Sequence, residues 1–337
     1  MRILITGGAG FIGSQLGLHL SEKHDVYPLD NLKYGYLHNF ANNKKLLKNF
    51  IHMDIRDPKM EDVLKDIDVV FHFAGIISLP GCNDDPGEAY SCNVAGTANV
   101  LEMARRNNVK KIIFASTTAV YENETGEPFK ESDLPNPALV YAQTKKASED
   151  ICKSFIDMYG MDITILRFFN VYGPHMDFRP PSYLISYVIG CLLKREVPIL
   201  HSNGKQARDF VFVSDVARLC EIVMTHPSAK NEVFNVGSGK AVTVQQIFDI
   251  IAGHLEEKKI KPIYRNPKLL WKTFSRQFEG EYPIKPELIE KEVNKLTLAN
   301  TEKTKKILGW EAKIGIEEGL RKTVAYAIEK AKTGTTA

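Results

Sequence analysis

The strongest constraint on this chain is the glycine run Gly7, Gly8, Gly10 and Gly13, which follows directly on the apolar residues Ile3, Leu4 and Ile5. A strand entering such a run must turn tightly at Gly7, offer backbone N–H groups around Gly10, and open a helix at Phe11 and Ile12 that Gly13 lets pack closely on the sheet. The helix N-terminus then faces a pyrophosphate. A glycine triplet alone says little, but here a helical apolar stripe (Phe11, Leu16, Leu20) and a second strand (Val26, Tyr27, Pro28, Leu29) follow, ending in Asp30. An acid at that strand end accepts both ribose hydroxyls of an adenosine and repels a 2′-phosphate, so the pattern predicts NAD rather than NADP.

The remaining chain is consistent with a large α/β protein. Its 337 residues allow one large or two unequal domains. A net charge of +3 is too small to indicate nucleic acid or an anionic membrane as partner, and no stretch approaches the ~20 apolar residues of a membrane span. The chain enters a strand at once without a secretory leader, which predicts a cytoplasmic location. Five scattered cysteines without CxxC spacing predict buried free thiols rather than disulfides or a metal site.

From residue 1 to about 172, strand and helix alternate as in a parallel sheet covered on both faces. A polar loop opens at Asn31. A short strand ends at Asp54 and Ile55, where Asp54 either contacts an adenine amine with Ile55 on the ring, or caps a helix over 58–65. The run 68–75 reads as a buried strand whose end, Phe73, Ala74 and Gly75, leaves room for a cofactor backbone; His72 within it reads as a satisfied core histidine. A helix is expected from Asn93 to Val109, and a strand then delivers Ser116, Thr117 and Thr118 to the crevice. Another helix opens at Tyr141 and runs to about Tyr159, and the next strand ends at Arg167 and Phe168. Beyond Pro174 the alternation loosens: a prolyl turn at Pro180 and Pro181, helices over 183–194, 215–224, 244–255, 286–293, 301–308 and 316–331, and strands near Ile199, over 208–213 and over 233–236.

The expected architecture is a Rossmann-like, doubly wound parallel sheet with a smaller mixed α/β substrate-binding domain. Residues 1–174 with about 208–240 form the NAD-binding part, about 175–207 with 241–331 the substrate part, and 332–337 a disordered tail.

Spacing of four puts Tyr141 and Lys145 on one helical face. A phenol of pKa near 10 becomes a base at neutral pH only with help; an adjacent ammonium and a positive nicotinamide favour the phenolate, and a pKa of about 7 takes roughly 4 kcal/mol. A Ser/Thr hydroxyl at the end of the preceding strand can bond the same substrate oxygen.

With these residues the sequence resembles the extended short-chain dehydrogenase/reductase family, within it the NAD-dependent nucleotide-sugar epimerases and dehydratases, and most nearly the UDP-glucose and UDP-N-acetylglucosamine 4-epimerases. The resemblance runs through Gly7 to Gly13, Asp30–Asn31, Asp54–Ile55, Phe73 to Gly75, Asn93, Ser116–Thr117, Tyr141 to Lys145, residues 167–174 and residues 208–215. It implies Tyr141 as base, Lys145 on the nicotinamide ribose, Thr117 as assisting hydroxyl, and Asn93, Ser116 and Phe168 among the cofactor contacts. It implies Asn170 and Arg208 on the substrate diphosphate. Arg276 resembles a second diphosphate arginine, with a surface arginine as the other reading.

The resemblance also bears on the reaction. Dehydratases of this kind carry an Asp–Glu pair where this chain has Thr118 and Ala119, and UDP-glucuronate decarboxylases carry a glutamate at the latter, so 4-epimerisation is expected over those reactions or a reductase. Intact Thr117, Tyr141 and Lys145 argue against a non-catalytic NAD-binding sensor. Thr297 falls where a bulky tyrosine excludes N-acetylated sugars in relatives, which implies acceptance of UDP-GlcNAc and UDP-GalNAc, unless Thr297 is only a strand residue in a shifted register. Residues 282–295 look like an insertion. A homodimer through the helices at Asn93 and Tyr141 is implied as well.

Overall fold

Strands that read as unbroken apolar runs need cover on both faces, and the chain supplies it by alternating them with helices. The computed structural model describes residues 1–121, 127–178 and 183–333. Strands are β1 (Arg2–Thr6), β2 (Asp25–Asp30), β3 (Ile51–His52), β4 (Val69–His72), β5 (Lys111–Thr117), β6 (Ile163–Phe168), β7 (Asn170–Tyr172), β8 (Ile199–His201), β9 (Ala207–Phe212), β10 (Val233–Val236), β11 (Ala241–Thr243) and β12 (Ile263–Arg265). Helices in the first half are α1 (Phe11–Leu20), α2 (Lys44–Lys48), α3 (Met60–Val63), α4 (Leu79–Asp84), α5 (Pro86–Tyr90), α6 (Gly96–Arg106) and α7 (Val140–Tyr159). Those in the second are α8 (Leu184–Leu193), α9 (Val213–Thr225), α10 (Val244–His254), α11 (Pro286–Asn294), α12 (Glu302–Leu308) and α13 (Ile316–Thr333).

Seven strands form one parallel sheet in the order β10-β6-β5-β4-β1-β2-β3. The order reverses between β1 and β4, and a doubly wound sheet opens its ligand crevice at the carboxyl ends of the strands beside such a switch point. The glycine run after β1 and Phe73–Gly75 after β4 therefore share one crevice. Period-two alternation divides the core: Ile3, Ile5, Phe71 and Ile113 pack with α9 residues on one face, whereas Leu4, Val70, Ile112 and Phe114 pack with α6 residues on the other. Each such side chain contributes about 1.5–3 kcal/mol by its burial. A further core joins Val188 and Ile189 of α8, Phe248 and Ile251 of α10, and Leu320 and Val324 of α13 around Phe210 and Phe212 of β9. The smaller sheet is mixed, with β9 parallel to β7 and antiparallel to β11.

Most expected elements are present, with instructive differences at their ends. The helix expected from Asn93 starts at Gly96 after a π-turn over Ser91–Ala95, and ends at Arg106, because Asn93 is drawn into side-chain bonding and Asn108 takes a left-handed φ of 54°. Thr243 caps α10 in a reciprocal capping box with Gln246. Helices α2, α4 and α5 are each capped by a side chain, Asn43 for α2, Ser78 for α4 and Asp85 for α5; α4 and α5 were unforeseen from the sequence. Lys332, expected in the tail, belongs to α13. The prolyl turn at Pro180 and Pro181 and residues 334–337 lie outside the described residues. All cysteines are free; Cys92 is half-buried and the others are buried. Among the described residues no helix is long and apolar enough to cross a membrane.

Candidate active site

The glycine turn is packed too closely for side chains. Gly7 has a left-handed φ of 70°, and a Cβ there would lie 2.8 Å from the Ala74 nitrogen; at Gly13 it would lie 2.2 Å from the Gly7 carbonyl oxygen. Gly10 stands at the N-cap of α1 without a side-chain hydrogen bond, and no acid lies in the first turn, so the N–H groups at Phe11 and Ile12 begin a helix end left open to an anion. Asp30 is buried and accepts from the Ala9 N–H at 3.1 Å and the Leu32 N–H at 2.8 Å; burial raises its pKa and these donors oppose the rise. The bare helix end and the buried carboxylate fit the pyrophosphate and ribose of a dinucleotide.

Around this cradle other expected contacts have local partners. Asp54 accepts from Arg56 Nε at 2.9 Å and Nη2 at 2.8 Å and from the Asn31 amide at 3.0 Å. Arg56 holds it well below the usual carboxylate range. The start of α3 is served instead by Asp57, which accepts from the Lys59 N–H at 2.8 Å. Ile55 packs its Cδ1 against Gly96. Asn93 accepts from the Ile76 N–H at 2.7 Å and donates to the Ile76 carbonyl and the Thr144 hydroxyl, both at 2.9 Å, which ties the Gly75 turn to α7. Phe73 and Phe168 meet edge to face at 5.8 Å between ring centroids. His72 is a satisfied core histidine: its ring nitrogens bond the Thr6 hydroxyl at 2.8 Å and the Thr97 hydroxyl at 3.0 Å, and burial pushes its pKa down to about 3.

Strand β5 and helix α7 bring Thr117, Tyr141 and Lys145 together. Thr117 is buried, and its hydroxyl beside the Tyr141 phenol favours the ionised form. Burial pushes that phenol up to about 12, against the downward shift the sequence predicts. From there a working pKa near 7 takes roughly 7 kcal/mol, not 4, at about 1.36 kcal/mol per unit. Lys145 is buried, with Nζ 4.2 Å from the centre of the Phe114 ring and no ion pair among the described residues. Burial pushes it down to about 8. Ser116 does not face this group; its hydroxyl donates to Glu149.

Asn170, Arg208 and Thr297 are also gathered. The Asn170 amide reaches the Asp209 carbonyl at 3.0 Å and the Thr297 hydroxyl at 3.5 Å, and residue 297 forms a parallel bridge with Arg208. The Arg208 guanidinium donates to the carbonyls of Glu292 at 2.7 Å and Val293 at 3.1 Å, capping the C-terminus of α11. Arg276 is exposed on a 3₁₀ turn whose next residue, Gln277, donates its N–H to Asp84 on α4 at 3.2 Å. No hydrogen bond among the described residues joins Arg276 to Arg208. Between α11 and the loop after β5 lies a cavity of about 560 Å³, lined by Thr118, Tyr121, Phe129, Leu139, Lys295 and Thr297. The Thr118 hydroxyl is buried there without a hydrogen-bond partner among the described residues.

Residues 3–237 match the NAD dependent epimerase/dehydratase family. The chain belongs to that family. A putative UDP-glucose 4-epimerase of Methanocaldococcus jannaschii is 35% identical over 96% of this chain and 97% of its own. The UDP-glucose 4-epimerase of Thermotoga maritima, solved with UDP-glucose, superposes with a TM-score of 0.86 at 31% identity, covering 98% of this chain and 100% of that one. The UDP-N-acetylglucosamine 4-epimerase of Methanobrevibacter ruminantium, in complex with UDP-N-acetylmuramic acid, gives 0.84 at 32% identity and 98% coverage of both chains. This family member is thus an NAD-dependent enzyme with UDP-sugar epimerases among its relatives.

Two features of the site escape the sequence reading. Glu149, one further turn along α7 from Lys145, is buried and paired with Arg167 at 2.7 Å; the repeat of four from Tyr141 through Lys145 was the available signal. Asp209 is fully buried and accepts from the Ser238 N–H and hydroxyl, both at 2.7 Å, the Gly239 N–H at 2.9 Å and the Ala299 N–H at 3.1 Å. Those donors come from two distant loops, so no local pattern could have revealed them.

Proposed function

We propose that this enzyme is a 4-epimerase of nucleotide sugars, interconverting UDP-Glc with UDP-Gal and UDP-GlcNAc with UDP-GalNAc. The observation that supports it is the Thr117–Tyr141–Lys145 group at the crevice with no acid directly after Thr117, where Thr118 and Ala119 follow. Dehydration requires a further group to move protons at neighbouring sugar carbons; inversion at C4 does not.

Bound NAD supplies a hydride acceptor and donor at C4 and a positive ring near the phenol. The Tyr141 phenolate takes the 4-hydroxyl proton, Thr117 holds the same oxygen through its hydroxyl, and Lys145 holds the nicotinamide ribose and keeps a positive charge one helical turn away. The 4-keto sugar turns over and Tyr141 returns the proton when the alcohol reforms on the other face. For Arg208 to bind the diphosphate, it exchanges the α11 carbonyls for phosphate oxygens, a stronger charge-assisted pairing. Arg276 reaches it only by movement of its turn. The working cleft lies between the NAD-binding part and the substrate part defined in the sequence, and the enzyme acts as a cytoplasmic homodimer.

The test is incubation of the purified protein with UDP-Glc or UDP-GlcNAc without added NAD, followed by NMR of the anomeric protons. The C4 epimer appears with each substrate; a product of altered mass identifies a dehydratase or decarboxylase instead. Thr297, at 2% exposure, borders the cavity, and its side chain is smaller than the tyrosine that excludes N-acetylated sugars in relatives. Thr297→Tyr therefore abolishes turnover of UDP-GlcNAc selectively, whereas equal loss on both sugars refutes this role.

A further inference from the structure

Tyr141, Lys145 and Glu149 stand at intervals of four on α7, so one helical stripe carries the phenol, the ammonium and a carboxylate in turn. The carboxylate is the least expected of the three. Glu149 is 6% exposed, takes the Ser116 hydroxyl on Oε1, and receives Arg167 through Nε at 3.0 Å and Nη2 at 2.7 Å. Arg167 in turn donates to the Tyr121 hydroxyl at 2.7 Å, and Tyr121 to the Asn235 side chain at 2.8 Å. Both oxygens of Glu149 are thereby held, and one of its donors, Ser116, is the residue before Thr117.

The surroundings of Lys145 show why a carboxylate there matters. Its helix contributes Glu149 and Cys152, with Tyr141 one turn before; the π-turn contributes Cys92; β4 contributes His72; β5 contributes the Phe114 ring; and Arg167 of β6 lies behind Glu149. The thiols are held in their neutral form by burial, and His72 is neutral. Glu149, one helical turn from Lys145 on the same buried face, is the carboxylate in this set that favours the Lys145 ammonium against desolvation.

We propose that Glu149 is a positioning residue for the catalytic group: its carboxylate keeps Lys145 protonated, and its bond to Ser116 fixes the end of β5 that presents Thr117. The inference rests on the epimerase reading through the role of Lys145. Turnover needs the ammonium, so the rate falls as pH rises through the Lys145 pKa. Removing the carboxylate moves that fall to lower pH.

The experiment measures pH–rate profiles of the NAD-bound enzyme on UDP-Glc, alongside direct titration of Lys145 by NMR of protein labelled with ¹³C at lysine Cε. In Glu149→Gln the alkaline limb and the NMR titration both move down by at least about one pH unit, the lower end for loss of a close opposite charge. The KM stays within about threefold while kcat at pH 8 falls at least about tenfold. Glu149→Asp restores the limb toward the wild-type position. Should Glu149→Gln fail to fold, Glu149→Gln with Arg167→Met removes both members of the buried pair, a change proteins often tolerate, and its limb still moves down. Loss of rate or stability with an unmoved Lys145 titration overturns the proposal and leaves Glu149 a scaffold residue. A wild-type protein that epimerises no UDP-sugar, but whose Lys145 titration shifts in the variant, refutes the epimerase reading alone.

Discussion

At the residue scale, chemistry and burial are in tension at Tyr141. The helix places the phenol against Ile76, Cys82 and Ala89, an apolar setting that opposes ionisation. The reaction needs it ionised, so most of the stabilising charge must come from outside the tyrosine's own contacts. We expect Tyr141→Phe to retain NAD, measured by absorbance of the released cofactor, while turnover falls at least ~10²-fold, the lower end for loss of a general base. Near-normal turnover would show that another group takes the proton. Thr117, Tyr141 and Lys145 were legible because spacing and strand order place them. The upward shift of Tyr141 was not, since it depends on Ile76 and Cys82, which reach the phenol only through the tertiary fold. The partner of Asp54 was not legible either: a guanidinium two residues away, Arg56, donates to both its oxygens.

At the element scale, α11 is the departure with the largest effect. Its C-terminal carbonyls would otherwise go unpaired, and Arg208 is their donor; burial lowers its pKa and the Glu292 charge opposes this. If Arg208 serves the substrate diphosphate, UDP and α11 compete for one guanidinium. We expect saturating UDP to raise amide hydrogen exchange across 286–294 at least about threefold, read by mass spectrometry; bound UDP with unchanged exchange would place the diphosphate elsewhere. The helix itself was readable from Pro286 and the apolar spacing of Ile289 and Val293. Its docking on Arg208 was not, because the donor lies 84 residues away. The short helices α4 and α5 were missed although Ser78 and Asp85 carry good capping signals, since each run is too short for a clear period.

At the scale of the whole molecule, the order of the parallel strands gathers both halves of the crevice at one switch point. The parallel, doubly wound class of that sheet was visible in the alternation of elements, though not its strand order. The contacts that join the last third of the chain to the sheet were not, for they run through buried polar side chains such as Asn235 and Asp209. Met158 and Tyr159 at the end of α7 are 68% and 49% exposed, an apolar edge next to the face expected to pair. Light scattering should give twice the chain mass; a monomer would remove α6 and α7 as an interface.

The fastening at Asp209 has a consequence for how such a protein can change. Residues 282–295 leave one fixed point, where Gln277 bonds Asp84, and return to another, where Thr297 and Ala299 are pinned to β9. Between these anchors the chain can be exchanged without altering the register of the sheet, provided that Ile289 and Val293 keep their core against Leu139 and Trp271 and Arg208 keeps its carbonyls. The segment behaves as a cassette. Diversification of substrate choice, natural or engineered, can proceed there by grafting, while the phenol, the ammonium and the glycine turn stay untouched.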